Sequence, residues 1–303
     1  MAKAKPQESG SDEELAVAEL PQANIATIED DFDFDANAGA GLEGAGQEAF
    51  AIPFLTVLQK TSPQVDEDSG LHIPGARSGA ILETVSGRLY DGKVGVLLVP
   101  CAYKRSFLRW GPRTGEGGGF KGELTPDEVA LMRAKGQIVE MEGRLYAPTE
   151  DGSVNVNRSD RFSETRNHFC MLMDEEFGAK QVLLSLTSTQ IKKSKALNSI
   201  LTSVRIRGKN GLVNPPTYGN VIRMTTVSES NDKGSWYGVR FERVRMLGQT
   251  EDGASMAGDQ RALERDIYEA ARQFHETVMA GAVAARFEDS GAHPEATQQP
   301  SGF

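Results

Sequence analysis

At 303 residues, with 39% apolar side chains and a formal charge of −10, the chain has room for one large domain or two ordinary ones, and its overall acidity argues against a polyanion partner. Its two cysteines and four scattered histidines lack metal-ligand spacing, and no apolar run approaches the roughly 18 to 20 residues of a membrane span. The total conceals an uneven distribution: residues 1–50 carry 2 Lys against 12 acids, residues 180–247 carry 12 Lys and Arg against Glu229, Asp232 and Glu242, and residues 248–303 carry 4 Arg against 10 acids.

Binding responds to the field at a surface and not to the sum of charges, so the basic middle reverses the first inference and predicts a polyanion partner there. Residues 29–48, EDDFDFDANAGAGLEGAGQE, cannot bury enough apolar surface to offset their ordering entropy, which predicts a disordered acidic segment over residues 1–50. Ordered structure is expected from residue 51, where AIPFLTVLQ begins. Residues 80–85 alternate as a strand. Residues 94–110, VGVLLVPCAYKRSFLRW, read as one long bent strand or two consecutive ones, because Pro100 would interrupt a helix and the β-branched and aromatic residues favour a sheet. After a Gly-rich loop, Thr125, Pro126 and Glu128 match a helix start and Gly136 its end. Strands follow at 138–147, 168–173 and 181–186. Thr187 and Gln190 have the spacing of a second capping box, opening a helix over 188–206 in which Ile191, Leu197, Ile200, Leu201 and Val204 share a face. Residues 220–227 and 235–247 pair as a hairpin around Asn231 and Gly234. An amphipathic helix covers 260–283, and the polar end from 287 is loose.

Six to eight strands with few helices between them give an α+β class: a strand-rich OB-like barrel or an antiparallel sheet, elaborated with helices and long loops. The expected division is a disordered acidic segment (1–50), an OB-like nucleic-acid-binding domain (51–247), and a linker, amphipathic helix and flexible tail (248–303). Cys101 and Cys170 lie in strand-like segments and read as buried reduced thiols. Asp174, Glu175 and Glu176 read as an exposed turn and not as metal ligands. The chain has no GxxxxGK[ST], GxSxG or HExxH motif, so catalytic residues, metals and cofactors are not expected and the chain reads as a non-enzyme. No charged segment followed by an apolar one opens the chain, so the expected location is the cytoplasm.

Alternation in a strand places Tyr103, Arg105, Phe107 and Arg109 on one face. Rings interleaved with guanidinium groups suit single-stranded nucleic acid, whose bases stack while its phosphates meet cations. The competing reading makes Tyr103 and Phe107 core residues with the arginines at the rim. Lys192, Lys193, Lys195, Arg205, Arg207 and Lys209 form a second basic set, and Arg223, Arg240, Arg243 and Arg245 a third on the following hairpin. A solvated helix face normally mixes signs, whereas residues 180–228 hold no acid. Arg205 and Arg207 have the alternative of serving the helix C-terminus. Trp236, Tyr237 and Phe120 are candidate stacking platforms beside loops, with core anchoring as the alternative for each.

At IPFLTVLQKTSPQV, LLSLTSTQIKKSKALNSIL and MTTVSESNDKGSWYGVRFE the sequence resembles a family of tailed-bacteriophage proteins, some of them described as single-stranded-DNA-binding proteins with an OB-like core. The resemblance spans residues 52–242 and implies a role in phage DNA replication, recombination or repair, with single-stranded DNA as partner and a homo-oligomer as assembly. Single-strand binding proteins often recruit replication or recombination proteins through an acidic tail ending in Phe. Here Phe303 is last, but the denser acids, Asp30, Asp31, Asp33 and Asp35 around Phe32 and Phe34, lie at the other end. That head is expected to occupy the basic groove in place of a nucleic acid. Two other functions fit the same residues: a phage structural or assembly protein that contacts DNA, and a strand-annealing protein.

Overall fold

The computed structural model describes residues 40–41, 51–112, 118–174, 178–232, 234–281 and 283. The chain divides into two compact units, Met1–Ala45 and Gly46–Phe303. Of the first, Ala40 and Gly41 are described, as an exposed turn; every element below belongs to the second.

In chain order the elements begin with β1 (Leu55–Val57), β2 (Ile81–Glu83) and β3 (Leu89–Tyr90), which form a small antiparallel sheet. The long strand β4 (Val96–Trp110) follows. Next come β5 (Phe120–Leu124), α1 (Pro126–Ala134), β6 (Val139–Met141) and β7 (Arg144–Tyr146). Then β8 (Arg161–Asp174) and β9 (Gly178–Thr187) lead through a short 3-10 turn into α2 (Ile191–Ser203). A two-stranded ribbon, β10 (Ile206–Gly208) and β11 (Gly211–Val213), precedes the hairpin of β12 (Asn220–Asn231) and β13 (Gly234–Met246), and α3 (Gly258–Met279) comes last. The class is the expected one, a strand-rich α+β fold.

β4 organises the main sheet. Along one edge it pairs antiparallel with β8 from Leu97↔Met173 to Trp110↔Arg161; along the other it pairs first with β12 and, further on, with β5. The far edge of β8 takes β9, and that of β12 takes β13. The long run is thus one strand, and its bend is a register shift between Pro100 and Ala102, at the residue that has no N–H to give the ladder.

Both faces are covered over the first half of β4 and the stretches of β8 and β9 beside it, and those stretches read as almost continuous apolar runs. On one face Val99, Cys101, Phe169, Met171 and Leu183 pack under Ile267, Ala271, Phe274 and Val278 of α3, with Phe169 and Phe274 edge to face at 6.1 Å. On the other, Leu98, Cys170, Leu172, Val182, Leu184, Met224 and Val239 close over Leu55 and Ile81. Cys101 and Cys170 are free and buried, as their surroundings predicted. Arg245 and Glu264 fasten α3 to β13 through two hydrogen bonds of 2.8 and 2.6 Å, and the same carboxylate accepts from the Gly248 amide at 2.7 Å.

α1 carries its expected capping box, with the Thr125 hydroxyl and the Glu128 carboxylate exchanging bonds with each other's backbone amides. The second predicted box does not form. Neither Thr187 nor Gln190 makes a side-chain cap, because Gln190 is used elsewhere: its Oε1 accepts from the Val239 amide at 3.1 Å on the outer edge of β13. Two residues earlier on that edge, Gln59 accepts from the Tyr237 amide at 2.8 Å and donates to the Tyr237 carbonyl at 2.9 Å.

Candidate nucleic-acid interface

The register of β4 on β8 determines what the second half of β4 presents. Tyr103 lies opposite His168, Arg105 opposite Arg166, Phe107 opposite Glu164, and Arg109 opposite Phe162. All eight share one face; along β4 rings and charges alternate, and along β8 the rings of Phe162 and His168 flank the charges of Glu164 and Arg166. Two guanidinium groups directly opposite each other would repel. Glu164 resolves this by accepting from Arg105 Nε at 2.9 Å and pairing with Arg166, so one carboxylate answers two cations and a positive excess remains. Arg166 also donates to the Tyr103 hydroxyl, fixing a ring that is still 36% exposed. The Arg105 guanidinium sits 5.3 Å from the Phe107 ring centre and that of Arg109 sits 5.8 Å from Phe162.

Phe107 belongs to a core patch beneath α1, with Val129, Ile138 and Phe162, so it supports the face without being open to a base. Arg109 bonds Asp160 at 2.7 Å, as does Lys121. Phe120 projects to the opposite face of the sheet, edge-on to Trp110 at 5.7 Å.

α2 joins this face through His168, whose Nε2 lies 2.7 Å from the buried Ser194 hydroxyl, while its ring stands 5.2 Å from that of Tyr103. The contact sets the first turns of α2 beside the exposed tyrosine. Lys192 and Lys195 are exposed there and have no acid partner among the described residues. Lys193 turns inward to Glu229, which also accepts from the Trp236 indole N–H at 3.0 Å. Burial opposes ionisation of Glu229, but these donors outweigh it and hold its carboxyl below the usual value. Two sets of direct contacts result, Trp236–Glu229–Lys193 and Ser194–His168–Tyr103–Arg166–Glu164–Arg105, and the backbone of α2 between Lys193 and Ser194 joins them into one path.

The remaining cations divide. Arg240 is exposed on the outer face of β13, the face of Trp236, and is unpaired among the described residues. Tyr237 points to the inner face, its ring against Gly79, where a Cβ would come within 2.6 Å of the ring. Arg223 pairs with Glu251 at 3.2 Å, Arg243 bonds Asn220, and Arg245 is committed to Glu264. Arg205 donates to the carbonyls of Thr202 and Val204 at the end of α2, the helix-terminal role that the sequence offered as its alternative. Arg207 and Lys209 project from the β10–β11 ribbon, away from that helix end. The acidic head, the C-terminal tail, Glu175, Glu176 and Lys233 lie outside the described residues. Asp174 is described and is not an exposed turn residue: its carboxylate accepts from the Tyr90 hydroxyl at 3.0 Å and meets Arg88.

Arg166, His168, Ser194 and Glu229 were not among the residues singled out from sequence. Phe162, Glu164, Arg166 and His168 do recur with period two, but the strand expected at 168–173 begins seven residues earlier than its apolar run suggests, at Arg161.

Burial pushes His168 down to about 4, with Arg166 adding to the effect. The unfolded imidazole titrates near 6.5, so between about pH 6.5 and 4 the unfolded chain binds the proton that the folded chain refuses. Stability present above about pH 6.5 should be lost as pH falls toward 4, by about 3 kcal/mol in all. Urea titrations at pH 7 and 4.5 should show a smaller acid loss for His168→Gln than for the unchanged chain.

Among the described residues no group of His, Cys, Asp and Glu side chains could hold a metal ion, and no helix is long and apolar enough to cross a membrane. Over residues 22–284 the chain matches the Pam3 phage gp34-like proteins. Comparison with curated proteins and with solved structures gives no match.

Proposed function

The chain belongs to the Pam3 phage gp34-like protein family, and from that premise and the path joining Trp236 to Arg105 we propose that it is a non-catalytic single-stranded-DNA-binding protein of phage DNA replication, recombination or repair. The observation that carries the proposal is the exposed Tyr103 ring beside Arg105 and Arg166, on a face that His168 and Ser194 tie to α2, a helix whose Lys192 and Lys195 are exposed with no acid partner among the described residues. A base can stack on that ring while its flanking phosphates meet cations, without any sequence being read.

The strand order supports the reading as well. Numbered by their place in the chain, the five long strands lie across the sheet as β9, β8, β4, β12, β13, third-second-first-fourth-fifth, which is the order of an OB-type barrel. In that fold the loop between the first two strands and the loop between the last two border the binding face. Here they are residues 111–160, which hold α1 over Phe107, and the turn beside Trp236. Self-association, and recruitment of replication or recombination partners through the acidic termini, belong to the same proposal.

Its test is a fluorescence titration of labelled oligo-dT at several salt concentrations. Engagement of Arg105, Arg109, Lys192 and Lys195, at about 0.7 per phosphate, gives an expected slope of log K against log salt near −2.8. A flat dependence, or no binding at micromolar protein, would sink the proposal. Faster pairing of complementary strands in the presence of the protein would identify annealing as its use of the same face.

A further inference from the structure

The β10–β11 ribbon is a sheet of its own, three residue pairs long: Ile206↔Val213, Arg207↔Leu212 and Gly208↔Gly211. An isolated two-stranded ribbon is marginal in water, yet this one is braced at its root. Arg205 and Asn214, which flank it on either side, both donate to the Thr202 carbonyl in the last turn of α2, at 2.8 and 3.3 Å. Above that root it is bare. Leu212 is 74% exposed, and Arg207 and Lys209 are exposed without an acid partner among the described residues. Residues directly opposite in a ladder share a face, so the Leu212 side chain and the Arg207 guanidinium stand together on one side of the ribbon, with Lys209 at its tip.

This arrangement has no use within the fold, and its chemistry selects an occupant. Residues 178–228 contain no acid, so the ribbon attracts a polyanion. A two-stranded ribbon has the width of a duplex groove, and an apolar side chain flanked by cations can press on a base pair while the cations hold phosphates. Its place along the molecule separates it from the Tyr103 face: α2 is 13 residues long, about 20 Å, and the ribbon lies past the end opposite to Lys192 and Lys195.

We infer that the β10–β11 ribbon is a contact for a duplex end, so that the complete ligand is a junction at which a single strand enters a duplex. Leu212 abuts the last base pair, and Arg207 and Lys209 hold the phosphates beside it. The inference rests on the single-strand reading above and adds the substrate class to it.

The full chain, Leu212→Ser and the double variant Arg207→Ala/Lys209→Ala should be titrated with labelled oligo-dT and with the same oligo-dT joined to a stable DNA hairpin. The unchanged chain should bind the tailed hairpin about tenfold more tightly, the order expected from burying much of one leucine side chain. Both variants should lose that gain and retain their oligo-dT affinity. 2-Aminopurine in the last base pair should brighten with the unchanged chain and not with Leu212→Ser. Intact oligo-dT binding with no gain from the duplex overturns this inference alone, whereas absence of salt-sensitive oligo-dT binding overturns the single-strand reading and this inference with it. If Leu212→Ser lowers the mass seen by light scattering and leaves the junction gain unchanged, the ribbon is a contact between copies of the chain and the inference fails.

Discussion

Tyr103→Ala should weaken oligo-dT binding by about 1 to 3 kcal/mol, roughly 5- to 150-fold, because it removes the exposed ring on which a base would rest. Lys192→Ala combined with Lys195→Ala should act differently, lowering the salt slope by about 1.4 through the loss of two phosphate contacts. The two effects separate in one set of titrations, since stacking persists at high salt and ion release does not. The lysines are the better choice for this test than Arg105. A cation already bonded to Glu164 must share its donors to meet a phosphate, and its removal also leaves Glu164 with Arg166 alone. Equal salt slopes for the double-lysine variant and the unchanged chain would place the phosphate path elsewhere.

Arg245→Ala should lower the stability of the fold by about 3 to 5 kcal/mol, because Glu264 would keep its charge in a buried position with the Gly248 amide as its remaining donor. The pair is among the least exposed ion pairs described. Urea titration should show the drop, and Arg245→Met together with Glu264→Leu should recover most of it, since an apolar pair of similar volume removes both charges at once. Near-full stability of the single variant would show that the pair is solvated in solution. Oligo-dT affinity should be unchanged in the double variant, as Arg245 faces α3 and not the Tyr103 face.

What could be read from sequence follows from where local chemistry decides the outcome. The shared face of Tyr103, Arg105, Phe107 and Arg109 follows from strand alternation alone, and the α1 cap from three residues in a row. The long β8 was recognisable over its apolar half, 168–173, but its polar half is held in the sheet by pairing with β4, a contact 50 to 70 residues away in the chain. For that reason Arg166 and Glu164 stayed out of view, and with them the fact that Arg105 is paired. The expected cap at Thr187 failed for a similar reason: the Gln190 side chain meets β13, nearly 50 residues on. Likewise the positive charge of residues 180–247 was visible as a sum, but its division into committed cations (Lys193, Arg223, Arg245) and cations without an acid partner among the described residues (Lys192, Lys195, Arg207, Lys209, Arg240) depends on distant acids that composition cannot locate. The β10–β11 ribbon is too short and too polar to register as a pattern.

The two glutamines on the outer edge of β13 have a consequence for assembly. A carboxamide carries the same donor and acceptor as a peptide group, so Gln59 and Gln190 stand in for the neighbouring strand that Tyr237 and Val239 would otherwise recruit. The last long strand is thereby stoppered by the chain itself. Should copies array along a nucleic acid as proposed, adding strand to strand at Tyr237 and Val239 would first have to displace both glutamines, which favours a filament built through other surfaces.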